Sequence, residues 1–503
     1  MQQIRIGWGR REVSTMEPVS IPGQVHLRIA EGIHDKLYVT ALCVDGGEGQ
    51  DSVIFCSCDV ISLRGDIIRL TRERVKALDP QIPVQFIFMG ATHTHSGATL
   101  GAAPEVSPDG KPIYSSVKYR EFFADQCAQA IVEAWTTRAP GGIAYGYGYA
   151  VVAHSRRTVY MHDVSQRNPN AVAPNGHAVM YGNTNDEWFS GYEAGADHFV
   201  NAMYTFDAEN RLTGIVANVP CPSQISEQFT MLSADYWTEV RRMAAKEFGE
   251  DVYVMPQCAA AGDLAPRILH YQDAQERRMA LKYDRPYYRK YNKANNIHYY
   301  NRVMTERMDI AQRIVSALCE IYDWACKDIQ TEMRVCHRAW ELPLHKRRIT
   351  EEEKLWCEEN IQQMKDRIPS QEGADPEAYR KAVSTYNSIK ARNEGAIRRF
   401  CEQEESPIYP VDVNVVRLGE IAFCTTPFEL YMDFMHRVQA RSPFVQTFVV
   451  QLAGDVGSTY LPTSRGRDNK GYSASLFCNI VGPEGGQEWV EGMVSALKEL
   501  SEA

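Results

Sequence analysis

The chain has 503 residues, of which 44% are hydrophobic and 23% are charged, and its formal net charge is −10. That length exceeds the usual size of one domain, so we expect two domains or one large domain with an insertion. The acidic balance excludes the extensive basic surface with which proteins bind nucleic acid or anionic membranes. We therefore expect a small-molecule substrate, no nucleic-acid partner and no membrane insertion.

Targeting signals and cysteines bear on the compartment. Residues 1–9 hold no basic segment followed by an apolar run, and nowhere do about eighteen apolar residues stand together. The thirteen cysteines are odd in number and scattered. Cys56 and Cys58 would have Cα atoms about 6.6 Å apart on one strand, near the upper limit for a disulfide. We predict a cytoplasmic protein with no export signal and with reduced thiols.

Residues 1–269 alternate apolar strand-like runs with helical patterns. The predicted strands are Asp51–Cys58, Val84–Met89, Ile143–Ala153, Leu212–Val219 and Asp251–Met255. The predicted helices are Asp66–Ala77 and Lys118–Thr136. This alternation is typical of an α/β fold, here a mixed β-sheet core flanked by helices.

Residues 270–410 have a different texture, dense in Arg, Lys, Glu and Tyr. Apolar residues recur there at helical spacing, as at Ile310, Ile314, Leu318 and Ile321. A capping box at Thr350–Glu353 begins one helix, Pro369 ends it, and Asp375 with Pro376 begins another. We predict a helical insertion that forms a solvated layer or a contact in a homo-oligomer; a lid over the site is the alternative.

Strand character returns in residues 411–503. Val411–Arg417 and Ile421–Thr425 flank Gly419, which favours a tight hairpin, and Gln446–Leu452 is a further strand. We therefore predict that 1–269 and 411–503 form one α/β catalytic domain, which the insertion interrupts.

The segment Ala91–Gly97 carries His93 and His95 directly after an apolar strand-like run. Sites in open α/β sheets form at strand ends, and imidazole is both the commonest transition-metal ligand and a group that titrates near neutral pH. The pair therefore indicates metal-assisted hydrolysis, with structural histidines as the alternative.

This segment resembles the THTHSG motif of the neutral, non-lysosomal ceramidase family, and further family segments follow in the same order. Ser155-Arg156-Arg157 resembles its Asn-Arg segment, and Thr426–Leu430 its Pro-Gly-Glu motif. Tyr460–Thr463 is similar to its Gly-Tyr-x-Pro-Thr motif, with Tyr472 twelve residues beyond Tyr460. Spanning about residues 3–267 and 411–500, the resemblance implies zinc ligands at His93, Glu429 and Tyr460, an oxygen-holding Arg156 and an active-site tyrosine at Tyr472.

Two segments depart from the family pattern. In Asn218–Gln224, Pro222 stands where the family has its second zinc histidine. Either Gln224, Glu227 or His198 replaces that ligand, or the metal is different or absent. In Gln257–Pro266, which resembles the Gly-[Asp/Asn]-x-Ser-Pro segment, Ala265 replaces the serine next to Asp263. Alanine is neither a nucleophile nor a donor, so a mechanism that needs that hydroxyl is excluded.

The resulting hypothesis is a metal-dependent hydrolase that uses one divalent ion, zinc by the resemblance, and metal-activated water. The predicted metal ligands are His93, Glu429, Tyr460 and Gln224, and the predicted catalytic residues are His95, Arg156, Tyr472 and Asp263. His95 would transfer protons, and Arg156 or Tyr472 would stabilise the oxyanion. With no amphipathic basic helix, we expect a small polar amide as substrate rather than a membrane sphingolipid.

Two other functions are consistent with the sequence. A glycoside hydrolase acting on a sugar derivative would use aromatic and polar residues such as Asp284–Tyr288. It would need a carboxylate pair about 5 to 10 Å apart, drawn from Asp59, Asp263, Glu429 and Asp455. The second alternative is a degenerate relative that binds a ligand without catalysis.

Overall fold

The computed structural model describes residues 2–165, 176–287, 296–455 and 460–503. Tyr288, the last residue of the aromatic segment named above, lies outside these ranges. In the described part of the chain, no helix has both the length and the apolar character needed to cross a lipid bilayer.

The longer strands form two large sheets, and the shorter strands pair in small sheets of two or three strands. In chain order they are β1 (Gln2–Gln3), β2 (Arg5–Glu12), β3 (Ser20–Ile21), β4 (Arg28–Ile29), β5 (Tyr38–Asp45), β6 (Ser52–Cys58), β7 (Ile87–Ala91), β8 (Ala139–Tyr149), β9 (His154–Ser155), β10 (Arg157–Tyr160), β11 (Ala178–Met180), β12 (Phe189–Tyr192), β13 (Phe199–Asp207), β14 (Leu212–Val219), β15 (Tyr253–Cys258), β16 (Leu264–Ala265), β17 (Glu332–Met333), β18 (Val335–His345), β19 (Ile408–Leu418), β20 (Ile421–Thr425), β21 (Glu429–Leu430), β22 (Gln446–Val450) and β23 (Tyr460–Leu461).

The helices connect these strands and cover the sheets. They are α1 (Gly65–Leu78), α2 (Ser116–Thr136), α3 (Trp237–Phe248), α4 (Gln272–Lys282), α5 (Asn296–Ala325), α6 (Glu351–Met364), α7 (Pro376–Glu402), α8 (Met432–Arg441), α9 (Ser464–Asn469) and α10 (Pro483–Glu502). The predicted capping box at Thr350 and Glu353 begins α6, and Asp375 caps α7 with Pro376 at its first position. Both helix starts were therefore predicted correctly.

An eight-stranded sheet forms the first half of the core, in the order β15-β14-β13-β8-β2-β5-β6-β7. It is parallel at its two ends, where β14 pairs with β15 and β6 with β7, and antiparallel between them. The sheet curls so that strands near its opposite ends approach each other. The Ser57 hydroxyl on β6 donates to the Pro256 carbonyl on β15 over 2.5 Å. The prediction of a mixed α/β core is confirmed.

A second sheet, β18-β19-β20-β22, packs against the first. Phe55 and Phe88 of the first sheet share one buried cluster with Phe423 and Phe448 of the second. All seven residues of β6 are buried, because β6 lies between the second sheet and the helical layer. Near-continuous apolar runs such as this one are what sequence analysis detects best.

Helices cover the outer faces of both sheets. Helix α2 lies directly on β2, where a side chain at Gly7 or Gly9 would overlap the carbonyls of Ala134 and Ala130. On the other side, Trp489 of α10 is fully buried and its indole donates to the Thr425 carbonyl over 3.2 Å. The molecule is thus layered helix, sheet, sheet, helix.

Two sequence predictions need correction. Val84–Phe86 forms a 3-10 turn after Pro83, so the strand there begins at Ile87 and not at Val84. Residues 270–410 are not purely helical, since β17 and β18 lie among the helices. Strand β18 is at the sheet edge, where exposed polar side chains and Pro343 are tolerated. These residues gave it no apolar strand pattern, so the sequence analysis missed it. The division into a catalytic domain and an insertion stays a prediction.

The carboxyl ends of the parallel strands converge. The Ala91 amide after β7 donates to the Leu452 carbonyl after β22, over 3.1 Å. The Gln451 amide donates to Cys258 at the end of β15, and the Ala259 amide donates to Val219 at the end of β14, each over 3.0 Å. Loops from both sheets therefore meet at one edge, the usual place for a site in α/β proteins.

Candidate functional site

His93 lies just beyond β7 in a strained backbone conformation. Its φ of 62° falls in the left-handed region that residues other than glycine rarely adopt, and such strain concentrates at functional sites. Its Nδ1 lies 2.7 Å from the Ile61 carbonyl oxygen. Since a carbonyl accepts only, Nδ1 carries a proton, which leaves Nε2 facing the site.

Glu429 faces the Nε2 atom of His93. Its Oε2 is 3.3 Å from His93 Nε2, and both residues are buried. A lone pair opposite a carboxylate is unfavourable unless a proton or a cation lies between them. Two ligands of a tetrahedral zinc, at about 2.0 to 2.1 Å from the ion, stand about 3.3 to 3.4 Å apart. The pair therefore has the separation of two metal ligands.

Strand pairing brings Tyr460 beside Glu429. Strands β21 and β23 run parallel, with Glu429 opposite Tyr460. Gly262 packs against the Glu429 backbone so closely that a side chain at that position would overlap the Glu429 carbonyl. Burial, then the Glu429 charge, raises the pKa of the Tyr460 phenol well above its ordinary value. Tyr460 is thus a neutral phenol at neutral pH when no metal ion lies beside it.

Arg156 joins these two groups. Its Nη2 lies 3.6 Å from Glu429 Oε2 and donates to the Tyr460 hydroxyl over 3.2 Å and to the Gly262 carbonyl over 2.9 Å. Its Nη1 donates to the Tyr181 hydroxyl over 3.3 Å. The buried guanidinium therefore supplies the positive charge that the Glu429 carboxylate needs in a dry environment.

His95 lies beside His93 with its ring nearly perpendicular, at 87°. The two Nε2 atoms are 3.4 Å apart, and His95 Nδ1 is 3.8 Å from Glu227 Oε2. Burial lowers the pKa of His95 well below 6.5, and the positive charges of Arg28 and Arg156 lower it further. Burial likewise raises the pKa of Glu227. His95 is therefore neutral at pH 7 and able to accept a proton.

Two tyrosines complete the cluster. The Tyr472 ring packs edge-on against Tyr460, with centroids 6.1 Å apart, and its hydroxyl accepts from Arg392 of α7 over 3.4 Å. Tyr181, which the sequence analysis missed, places its hydroxyl between Arg156 and the Gln224 amide. Tyr181 stands in no recognisable motif; its positive φ of 57° becomes visible only in the structure.

Some predicted site residues have other partners. The Gln224 amide donates to the Tyr181 hydroxyl. The Asp263 carboxylate accepts from the Met432 amide over 3.1 Å, and burial raises its pKa to about 6. The Asp263 carbonyl accepts from the Arg156 amide over 3.2 Å. Asp263 thus holds the backbones of two site segments in place, and we assign it a positioning role.

The remaining candidates lie elsewhere. The Asp59 carboxylate accepts two hydrogen bonds from the Arg241 guanidinium, over 2.7 and 3.0 Å. Asp455 lies against Gly65 at the start of α1. His198 accepts the Ala150 amide through its carbonyl, 2.9 Å away. Ala265, at the serine position of the resemblance, is buried in β16.

The donor set fits a divalent ion with three protein ligands. His93 Nε2 and Glu429 Oε2 have the required separation, and the Tyr460 hydroxyl is tied to Glu429 through the same Arg156 nitrogen. Three protein ligands and one open position characterise catalytic zinc, as opposed to structural zinc. Gln224 is not needed as a fourth ligand, and its amide is engaged with Tyr181.

Comparisons with known proteins give a match in structure. No family model matches the sequence, and no curated protein matches it significantly. The crystal structure of neutral ceramidase from Pseudomonas aeruginosa superposes with a TM-score of 0.65 at 16% identity, covering 100% of this chain and 75% of that one. A structure described as ceramidase complexed with C2 gives 0.64 at 15% identity, with 100% and 76% coverage. The chain therefore has a ceramidase-like fold.

Proposed function

We propose that the protein is a hydrolase that cleaves an amide bond in a small polar substrate. The observation that carries this proposal is the 3.3 Å approach of His93 Nε2 to Glu429 Oε2 in a buried cluster that also holds His95, Arg156 and Tyr460. The ceramidase-like fold supports amide hydrolysis as the reaction type.

His93, Glu429 and Tyr460 would hold a divalent ion, most suitably zinc. Such an ion, when bound, polarises a carbonyl oxygen and lowers the pKa of water. The protein contributes the fixed tautomer of His93, which the Ile61 carbonyl maintains. The second family histidine is absent at Pro222, so this proposal rests on three ligands.

The chain's own residues supply the proton transfer and the charge stabilisation. His95, neutral because its pKa is lowered, takes a proton from the attacking water and then gives it to the leaving amine. The Arg156 guanidinium, whose Nη2 lies 3.2 Å from the Tyr460 hydroxyl, donates to the oxygen on which negative charge develops. Ala265 offers no hydroxyl, so water is the nucleophile in this proposal.

A polar cavity that, among the described residues, contacts the site only through Arg267 supports a polar substrate. It encloses about 190 Å³, and its lining includes Arg267, Glu276, Glu306, Asp309 and Arg313. Arg267 links the cavity to the site, because its guanidinium lies 3.3 Å from Glu227, the carboxylate beside His95. A long alkyl chain would leave these charges desolvated, whereas a polar acyl or amine group can hydrogen-bond with them.

We set the glycoside hydrolase alternative aside. Of its four candidate carboxylates, only Glu429 belongs to the histidine cluster. Asp59 is engaged by Arg241, Asp263 by the Met432 amide, and Asp455 lies at Gly65. The degenerate binding protein remains as an outcome of the experiment.

The test combines metal analysis with activity screening. Purified protein is analysed for its elements and assayed on short N-acyl amides and on glycosides, with and without a chelator. We expect one divalent ion per chain and amide cleavage that chelation abolishes. His93→Ala should lose both, while His337→Ala should keep both, because His337 is buried elsewhere and bonded to Asn414. Undiminished cleavage in His93→Ala would refute the proposal, and a folded, metal-free protein that binds amides without cleaving them would establish the binding alternative.

A further inference from the structure

Three cysteines form a buried cluster in the core outside the candidate site. Cys56 and Cys58 are two residues apart on β6, so their side chains point to the same face of the sheet. Cys127 of α2 packs over them. The three Sγ atoms lie within 4.8 Å of one another, with Cys56 and Cys58 only 3.9 Å apart.

This spacing is that of ligands around one ion. Three sulfurs at about 2.3 Å from a central ion, the usual distance in metal thiolates, stand about 4 Å apart when the ion lies in their plane. Cys56, Cys58 and Cys127 form no disulfide in the structure, so all three sulfurs remain available as ligands.

The electrostatics of the cluster favour a single positive charge. Hydrogen bonds from the Cys127 and Cys58 thiols lower the pKa of Cys56, whereas burial raises the pKa of Cys58 and of Cys127. A monovalent ion is neutralised when one of the three thiols loses its proton, whereas a divalent ion would leave net charge in an apolar core or require a second thiolate.

We propose that Cys56, Cys58 and Cys127 form a binding site for one Cu(I) ion. Soft sulfur ligands select Cu(I), and three ligands suffice for it, whereas zinc prefers a fourth. When three thiols receive one Cu(I), one sulfur loses its proton to solvent and the copper takes its place. The assembly is neutral and no electron is transferred.

The test is an anaerobic titration of the full-length protein with Cu(I) against a coloured Cu(I) chelator. The background is Cys401→Ala, because Cys401 is exposed and would bind copper adventitiously. Because the cluster is buried, the titration is repeated with Cu(I) present during refolding. We expect one copper per chain, and X-ray absorption should show sulfur neighbours only.

Matched variants distinguish this site from the rest of the chain. Cys127→Ala should lose the copper, whereas Cys43→Ala should retain it, since Cys43 is a buried thiol on β5 outside the cluster. His93→Ala should also retain it, which separates this inference from the proposed hydrolase site. The inference is overturned by a folded protein that takes up no copper in either titration. It is equally overturned by nitrogen neighbours in the absorption spectrum, a measurement that needs no variant.

Discussion

Replacing Arg156 with Gln tests the cluster most directly. The substitution removes a buried positive charge whose Nη2 lies 3.6 Å from Glu429 Oε2. With an effective dielectric constant of about 20, a pair at that separation interacts by about 4 to 5 kcal/mol, and breaking a buried pair costs about 3 to 5 kcal/mol. We therefore expect the free energy of unfolding to fall by about that amount at pH 7.

The same variant should lose catalysis beyond its loss of stability. Removing one donor to a developing oxyanion lowers kcat by about 10² to 10³. The assay is kcat/KM on an N-acyl amide per folded molecule, with the folded fraction taken from urea unfolding. Arg156→Lys keeps the positive charge but lacks the planar guanidinium with its several donors. Relative to Arg156→Gln, it should therefore restore stability more fully than activity.

The neighbouring Arg157 provides the control. It is equally buried and forms a fork with Glu193, at 2.6 and 2.8 Å. Arg157→Gln should therefore destabilise the fold similarly while changing the activity of the folded fraction little. If Arg156→Gln and Arg157→Gln reduced activity per folded molecule equally, the assignment of Arg156 to the chemistry would be wrong.

Three further predictions follow from local contacts. Because the pKa of His95 is well below 6.5, kcat/KM should stay level as the pH falls past 6.5 and decline only in more acidic solution; a midpoint at or above 6.5 would contradict this. The pKa of Asp263 is about 6 in the folded protein, against an ordinary value of 3.8. The protonated carboxyl therefore stabilises the fold below pH 3.8, and this contribution is lost as the pH rises through 6. Asp263→Asn should therefore be more stable than the wild type at pH 8, by on the order of 3 kcal/mol, but not at pH 3.5, as measured by denaturant unfolding. Thr350→Ala should lower stability by about 1 kcal/mol in the same assay while Thr350→Ser does not, since Thr350 caps α6.

Local signals in the sequence predicted much of the fold. Strand β14 has the predicted bounds, because an apolar run between turn residues clearly indicates a strand. The α7 start at Asp375 and Pro376 was equally local. Strand β18 was missed because an edge strand exposes polar side chains, and its pairing with β19 depends on residues more than sixty positions away.

The sequence suggested which residues belong to the candidate site but not how they are connected, and their roles stay a prediction. Motif order identified His93, Glu429 and Tyr460, whose approach depends on the pairing of β21 with β23. Nothing local indicated that Asp263 would bond to the Met432 amide, or that Tyr181 would lie between Arg156 and Gln224. Such contacts join segments that only tertiary packing brings together, so periodicity and spacing do not reveal them.

Because the strand ends of both sheets contribute to it, the cluster of His93 and Glu429 can form only when both sheets have folded. His93 follows β7 in the eight-stranded sheet, whereas Glu429 follows β20 in the four-stranded sheet. A nascent chain that has formed only the larger sheet would carry both imidazoles without their acid partner. The proposed hydrolase activity would therefore require both sheets to have formed and packed together.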